Sequence, residues 1–139
     1  MRLTMFTDFA LRALMRLAGE PDRSFSTGEI AGEFGISRNH LAKVVSDLAE
    51  LGFITTQRGV GGGFALARPP QAITLGEIVR ALEGPSALVE CFRQDGGGCA
   101  LTPRCRLKAR LGAAREAFLR ELDKTTLAEC AYPTRRRAA

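Results

Sequence analysis

Two short helical patterns joined by one tight turn, and followed at once by a glycine-tipped hairpin, leave this chain few folds to choose from. They occupy SFSTGEIAGEFGISRNHLAKVVSDLAELGFITTQRGVGGGFALA, residues 24–67. Ser26-x-x-Glu29 has the form of a capping box, in which a hydroxyl and a carboxylate satisfy free N–H groups at a helix start. That helix stops at Gly35, and two residues later Ser37 can cap another that runs to about Leu51-Gly52. Leu41, Val44, Val45 and Leu48 recur at helical spacing as its inward stripe. Thr and Ile in FITT suit a strand, RGVGGG cannot hold regular structure, and FALA returns as a second short strand. In that order, helix pair and hairpin predict a winged helix-turn-helix.

The flanking segments extend the pattern. Phe6, Phe9, Ala10, Ala13, Leu14 and Leu17 make one helical stripe, and Leu11, Met15 and Ala18 a second apolar face. Thr7 is the expected N-cap of this first helix, and Gly19 with Pro21 ends it. Thr74-x-x-Glu77 opens a helix with Ile78, Val79 and Leu82 inward. From Thr102-Pro103 a long helix is expected to run to about Asp123, with Leu107, Leu111, Ala114, Phe118 and Leu122 as a stripe that meets a partner subunit. The fold class expected is mainly α with a small β-wing. A DNA-binding domain covers 1–83 (wing about 53–67), a cysteine loop 84–106, a dimerisation helix with a short C-terminal turn 102–130, and a basic tail 131–139.

At 139 residues and 45% hydrophobic content the chain can bury a real core, and 6% aromatics without Trp make that core aliphatic. No apolar run approaches the ~20 residues needed to cross a bilayer. Asp8, Arg12 and Arg16 interrupt the N-terminal apolar stretch at helical spacing, against a signal peptide, so a cytoplasmic protein is expected. The net charge of +5 suits a polyanionic partner. Yet residues 1–70 carry 8 basic and 7 acidic side chains, against 12 and 8 in 71–139. Position, not net charge, therefore has to identify the binding surface.

In a helix-turn-helix the N-terminal turn of the second helix enters the major groove first. Ser37, Arg38, Asn39 and His40 crowd that turn here, and Lys43 follows on the polar face. Asn reads adenine and Arg reads guanine bidentately. At the wing tip, Arg58 with Gly61 and Gly62 can place a guanidinium in a minor groove and backbone N–H groups near phosphate. The partner expected is double-stranded DNA. No substrate pocket or acid–base pair is visible, so an enzyme is not expected.

Cys91, Cys99 and Cys105 have the spacing C-x7-C-x5-C, with Gly96, Gly97 and Gly98 inside it. Reduced thiols are expected in this compartment rather than a disulfide framework. The spacing differs from the paired C-x2-C of most zinc sites. Wide loop ligands can wrap a larger object, and glycine amides can reach cluster sulfides. Zinc, a cluster and incidental thiols all remain open on spacing alone. Cys130 stands apart near the tail, and the sole histidine, His40, lies on the reading helix.

LTMFTDFALRAL, ISRNHLAKVVSDLAELGFI, RGVGGGFALA, ITLGEIVRALEG, CALTPRCRLKARL and TLAE, in that order, resemble successive blocks of the NsrR-type nitric-oxide-sensing repressors. Those belong to the winged-helix iron–sulfur superfamily that also contains IscR. The resemblance implies a homodimeric repressor on a pseudo-palindromic operator, with one [4Fe–4S] cluster per subunit and nitrosylation releasing DNA. It implies Cys91, Cys99 and Cys105 as thiolate ligands and Asp8 of the partner subunit as the fourth. Arg12, one turn from Asp8, is placed to compensate the negative charge of such a site. IscR-like members use a histidine three residues after the last cysteine, where this chain has Lys108. The Cys91–Cys99 interval is longer than the NsrR branch leads one to expect, and Cys130 replaces a usual aliphatic residue. The alternatives are a general iron–sulfur status regulator like IscR, or a zinc or thiol redox switch on the same winged helix.

Overall fold

The structure, a computed structural model, describes residues 2–84 and 86–133. The first helix, α1 (Met5–Gly19), starts one turn earlier than expected. Its N-cap is Thr4, whose hydroxyl accepts from the Thr7 N–H, while Thr7 itself is fully buried inside the first turn. The two threonines stand three apart, and the capping position went to the one whose backbone is extended (φ −65°, ψ 155°).

Helices α2 (Thr27–Phe34) and α3 (Arg38–Glu50) form the expected pair. Ser26 accepts from the Glu29 N–H, but the Glu29 carboxylate pairs with Arg23 instead of completing a capping box. Gly35 ends α2 with φ 64°, the left-handed geometry that glycine adopts without strain. Ser37 occupies the N-cap position of α3 without a side-chain capping bond. Leu41, Val44, Val45 and Leu48 are all buried, as their spacing predicts.

The wing is an antiparallel pair, β1 (Ile54–Gln57) and β2 (Gly63–Leu66), with Ile54 opposite Leu66 and Gln57 opposite Gly63. Phe25 adds a one-residue third rung, exchanging both backbone bonds with Phe64 at 2.9 and 2.8 Å. Any Cβ at Gly63 would collide with the Phe25 carbonyl, so the wing root needs glycine there. The Phe25 ring is buried under two guanidiniums, Arg16 at 4.7 Å and Arg23 at 4.4 Å from its centroid. Arg16 is only 1% exposed and pairs with Glu20 (2.7 Å) and Glu33 (2.9 Å). It knits α1 to α2 from inside rather than marking a solvated face.

Helix α4 (Leu75–Glu83) buries Gly76, Ile78 and Val79, and the loop carrying Cys91 and Cys99 follows. Thr102–Arg104 forms a 3-10 turn, so the last helix, α5 (Arg106–Leu122), starts after Cys105 rather than at Pro103. Arg106 begins a fresh helix because Cys105 is extended (φ −79°, ψ 109°). Helices α4 and α5 cross closely at Gly76, where a Cβ would meet the Leu119 carbonyl at 2.8 Å. Arg80 locks the crossing with two bonds to Asp123, at 2.5 and 2.7 Å.

The chain then returns to the winged helix. A 3-10 turn at Leu127–Cys130 carries a complete capping box, Thr126 with Glu129. The Leu127 N–H donates to Ile73 at 2.8 Å, and the Tyr132 N–H to Met15 at 2.8 Å. Leu127 is 0% exposed in the same core as Leu14, Ile73 and Ile78. The C-terminal turn is thus part of the winged-helix core, not an appendage of α5. The expected arginine tail, Arg135 to Arg137, lies outside the described residues. Among the described residues no helix is long and apolar enough to cross a membrane.

Candidate functional site

The polar face of α3 is presented as the sequence predicts. Ser37, Arg38, Asn39, His40 and Lys43 are exposed. Among the described residues the Asn39 side chain has no hydrogen-bond partner, leaving its amide free for a base edge. Arg38 folds back so that its guanidinium lies over Gly28, where a Cβ would come within 2.9 Å of Nη2. Lys43 is engaged with Asp47 at 2.5 Å, and that hydrogen bond holds its ammonium above the ordinary lysine range. His40 and Lys43 also line a cavity of about 230 Å³ with Met5, Phe6, Phe9 and Val44, so α3 meets the first turns of α1 across a partly apolar gap.

At the wing, Arg58 and Gly61 are exposed and Gly62 is half-buried. Gly59 (φ 98°) and Gly61 (φ 76°) occupy the left-handed region and turn the tip. The Gly62 N–H donates to the Gly59 carbonyl at 2.9 Å, so it closes the turn rather than pointing at a phosphate. Arg58 and the open tip remain exposed to solvent.

All four cysteines are free thiols, each half-buried. The glycine run has a structural task that its sequence did not reveal. Gly97 has φ 63°, and a Cβ there would sit 2.5 Å from the Glu90 carbonyl. The Gly97 N–H donates to Asp95 Oδ1 at 3.0 Å, and the Gly98 N–H to Glu90 Oε1 at 2.9 Å. Loop amides thus converge on negative oxygens, the electrostatic service that an anionic cluster sulfide also requires. Three soft thiol donors on one loop fit a thiolate-ligated iron–sulfur cluster or zinc in kind. Among the described residues of the single chain, no three Cys, His, Asp or Glu side chains converge to hold a metal ion. The loop alone supplies donors without gathering them.

Asp8 lies on the outer face of α1 with its carboxylate clasped by Arg12, at 2.7 Å to Nη2 and 3.2 Å to Nε. Both side chains are nearly half exposed, 44% and 46%, which leaves Asp8 reachable from outside the chain. The α5 stripe is partly open: Leu107 is 63% exposed and Ala114 exposed, while Leu111, Phe118 and Leu122 are half-buried and only Leu119 of this helix is buried. Sequence reasoning missed one further residue, Glu83, whose Oε1 receives the Thr4 N–H at 2.7 Å and the Thr4 hydroxyl at 2.8 Å. Nothing local in the sequence pairs residues so far apart.

The same architecture occurs in solved structures. CymR, the global cysteine regulator of B. subtilis, is 32% identical, with a TM-score of 0.71 over 94% of this chain and 96% of that one. IscR of T. potens is 25% identical, with a TM-score of 0.70 over 93% of this chain and 85% of that one. An oxidised form of Staphylococcus aureus CymR is 26% identical, with a TM-score of 0.71 over 97% and 99%. The family model of the Rrf2 iron-dependent transcriptional regulators matches residues 3–132, which takes in the winged helix, the thiol loop, α5 and the returning turn. The chain belongs to the Rrf2 family of transcription regulators.

Proposed function

We propose that this Rrf2-family regulator is a homodimeric repressor that senses nitric oxide through a [4Fe–4S] cluster in each subunit. Cys91, Cys99 and Cys105 would hold the cluster, with Asp8 of the partner subunit as the fourth ligand. The observation that carries this reading is the position of three unpaired thiols on the one loop joining the DNA-reading module to the open face of α5. Bound there, the cluster supplies iron as the target of nitric oxide.

The chain's own residues supply the rest. Asp8 offers a hard oxygen beside soft thiolates, the weakest member of such a donor set. Arg12 offsets negative charge when Asp8 is engaged and clasps the carboxylate when it is not. The α5 stripe pairs the two chains, so that two copies of α3 address successive major grooves ~34 Å apart. A tilt of either helix that costs ~1.4 kcal/mol lowers operator affinity tenfold.

The test is anaerobic iron–sulfide reconstitution followed by stepwise nitric oxide. A broad absorption band near ~400 nm that bleaches with loss of DNA binding is expected. A protein that stays colourless refutes the cluster. A thiol redox switch is the second reading, favoured because Asp95 and Glu90 already occupy the loop amides. In that case peroxide releases DNA, dithiothreitol restores it, and nitric oxide acts only through the thiols.

A further inference from the structure

We infer that Glu83 is a positioning residue that latches the thiol loop to the first turn of α1 within one chain. The inference rests on the loop being the sensing element, whether it carries a cluster or switches through its thiols. It adds a route that does not pass through the partner subunit.

Glu83 is the last residue of α4, so its backbone is where the thiol loop begins. Its side chain reaches the other way. Oε1 accepts both the N–H and the hydroxyl of Thr4, the residue that caps α1. The amides of α1's first turn depend in turn on Thr4: the Thr7 N–H donates to its hydroxyl at 3.2 Å, and the Asp8 N–H to its carbonyl at 3.0 Å. On the loop side, the Ser86 N–H donates to the Glu83 carbonyl at 2.8 Å, and the Ser86 hydroxyl helps hold the Glu83 carboxyl below its ordinary range. One residue therefore takes a donor from the start of the loop on its carbonyl, and donors from the cap that places Asp8 on its carboxylate.

The charge state suits the role. Burial pushes the Glu83 carboxyl up, but hydrogen bonds from Thr7, Thr4 and Ser86 together outweigh it and hold the group below the usual glutamate range. Space for movement is also present. Behind the latch lies a cavity of about 230 Å³ lined by Arg2, Leu3, Glu83, Ser86 and Leu88 among others. A displaced loop can draw Glu83 toward that space, and Thr4 with it.

The experiment is hydrogen exchange, read separately at the loop and at the Thr7 and Asp8 amides. The loop is perturbed in two ways, by iron–sulfide reconstitution and by N-ethylmaleimide on its thiols. In the wild type, each change at the loop is expected to be accompanied by a change at Thr7 and Asp8. In Glu83→Ala those two amides exchange about fivefold faster at rest, the worth of a helix cap, and no longer respond to the loop. Ser86→Ala keeps the Thr4 contacts, so resting exchange stays as in the wild type while the transmitted change falls by half or more. A role confined to capping α1 would not produce that split.

The latch is overturned if wild-type Thr7 and Asp8 ignore a loop that has changed. It is also overturned if a folded Glu83→Ala transmits the change in full, or if Ser86→Ala does so where Glu83→Ala does not fold. Failure to form a cluster removes only the cluster reading, because the maleimide arm still moves the loop.

Discussion

Truncating Leu127 to Ala measures how far the C-terminal turn belongs to the reading head. The side chain is 0% exposed among Leu14, Ile73 and Ile78, and its own N–H is bonded to Ile73. Removing three carbons forfeits ~0.8 kcal/mol each in transfer free energy, roughly 2.4 kcal/mol. A cavity that relaxes only in part raises the cost to about 3–4 kcal/mol. For a chain of this size that lowers Tm by about 10 °C. The assay is urea unfolding followed by helical circular dichroism at fixed protein concentration, since the proposed dimer would make apparent stability concentration-dependent. One cooperative transition, shifted to lower urea with unchanged slope, is expected. A loss below ~1 kcal/mol, or a separate early transition that melts α5 alone, would refute the single core.

Other outcomes follow from the same geometry. Gly76→Ala drives a methyl into the Leu119 carbonyl and displaces Asp123 from Arg80, costing about 1–3 kcal/mol; an unchanged urea midpoint would mean α4 and α5 do not cross so closely. Glu83, Asp123 and Glu129 are held below their ordinary values, Asp123 by its bond from Arg80 and Glu129 by the Thr126 backbone N–H. Their folded values are depressed, so what they contribute is present above the ordinary carboxyl range and is lost as pH falls through the folded values. Tm should hold from neutrality to about pH 5 and decline below it, and a Tm still flat at about pH 3 contradicts the assignment. With an operator selected from random duplexes, Asn39→Ala should cost about 1–3 kcal/mol and relax preference at one base pair. Arg58→Ala should instead weaken all sequences alike and lower the salt slope by about 1. Anisotropy titrations at several salt concentrations separate the two, and equal behaviour of both variants counts against direct readout by α3.

The winged helix was legible because each part announces itself locally. A capping hydroxyl, a stripe at helical spacing and a left-handed glycine each lie within a few residues of what they control. Arg16 was not legible, because an arginine at helical spacing looks solvated until Phe25, Glu20 and Glu33 are folded around it. The start of α1 was misplaced by one turn for a similar reason: Thr4 is fixed as the cap by Glu83, 79 residues away. The Thr126-x-x-Glu129 box is a local signal for the short C-terminal turn expected there. Its burial against Ile73 could not be read locally. Of the site, the thiols and the face of α3 are visible in sequence. The use of the glycine run to hold Asp95 and Glu90 is visible only in space.

The return of Leu127 to the core also orders events during synthesis. A ribosome delivers the helix-turn-helix and wing early, but the hydrophobic contact that closes them waits until residue 127 has emerged. That long sequence separation adds slow, non-local pairing to an otherwise local helical fold. The consequence is a built-in checkpoint. A nascent chain cannot complete its winged helix before α5 and the thiol loop have also been made, so the DNA-binding module matures together with the loop and helix proposed to regulate it.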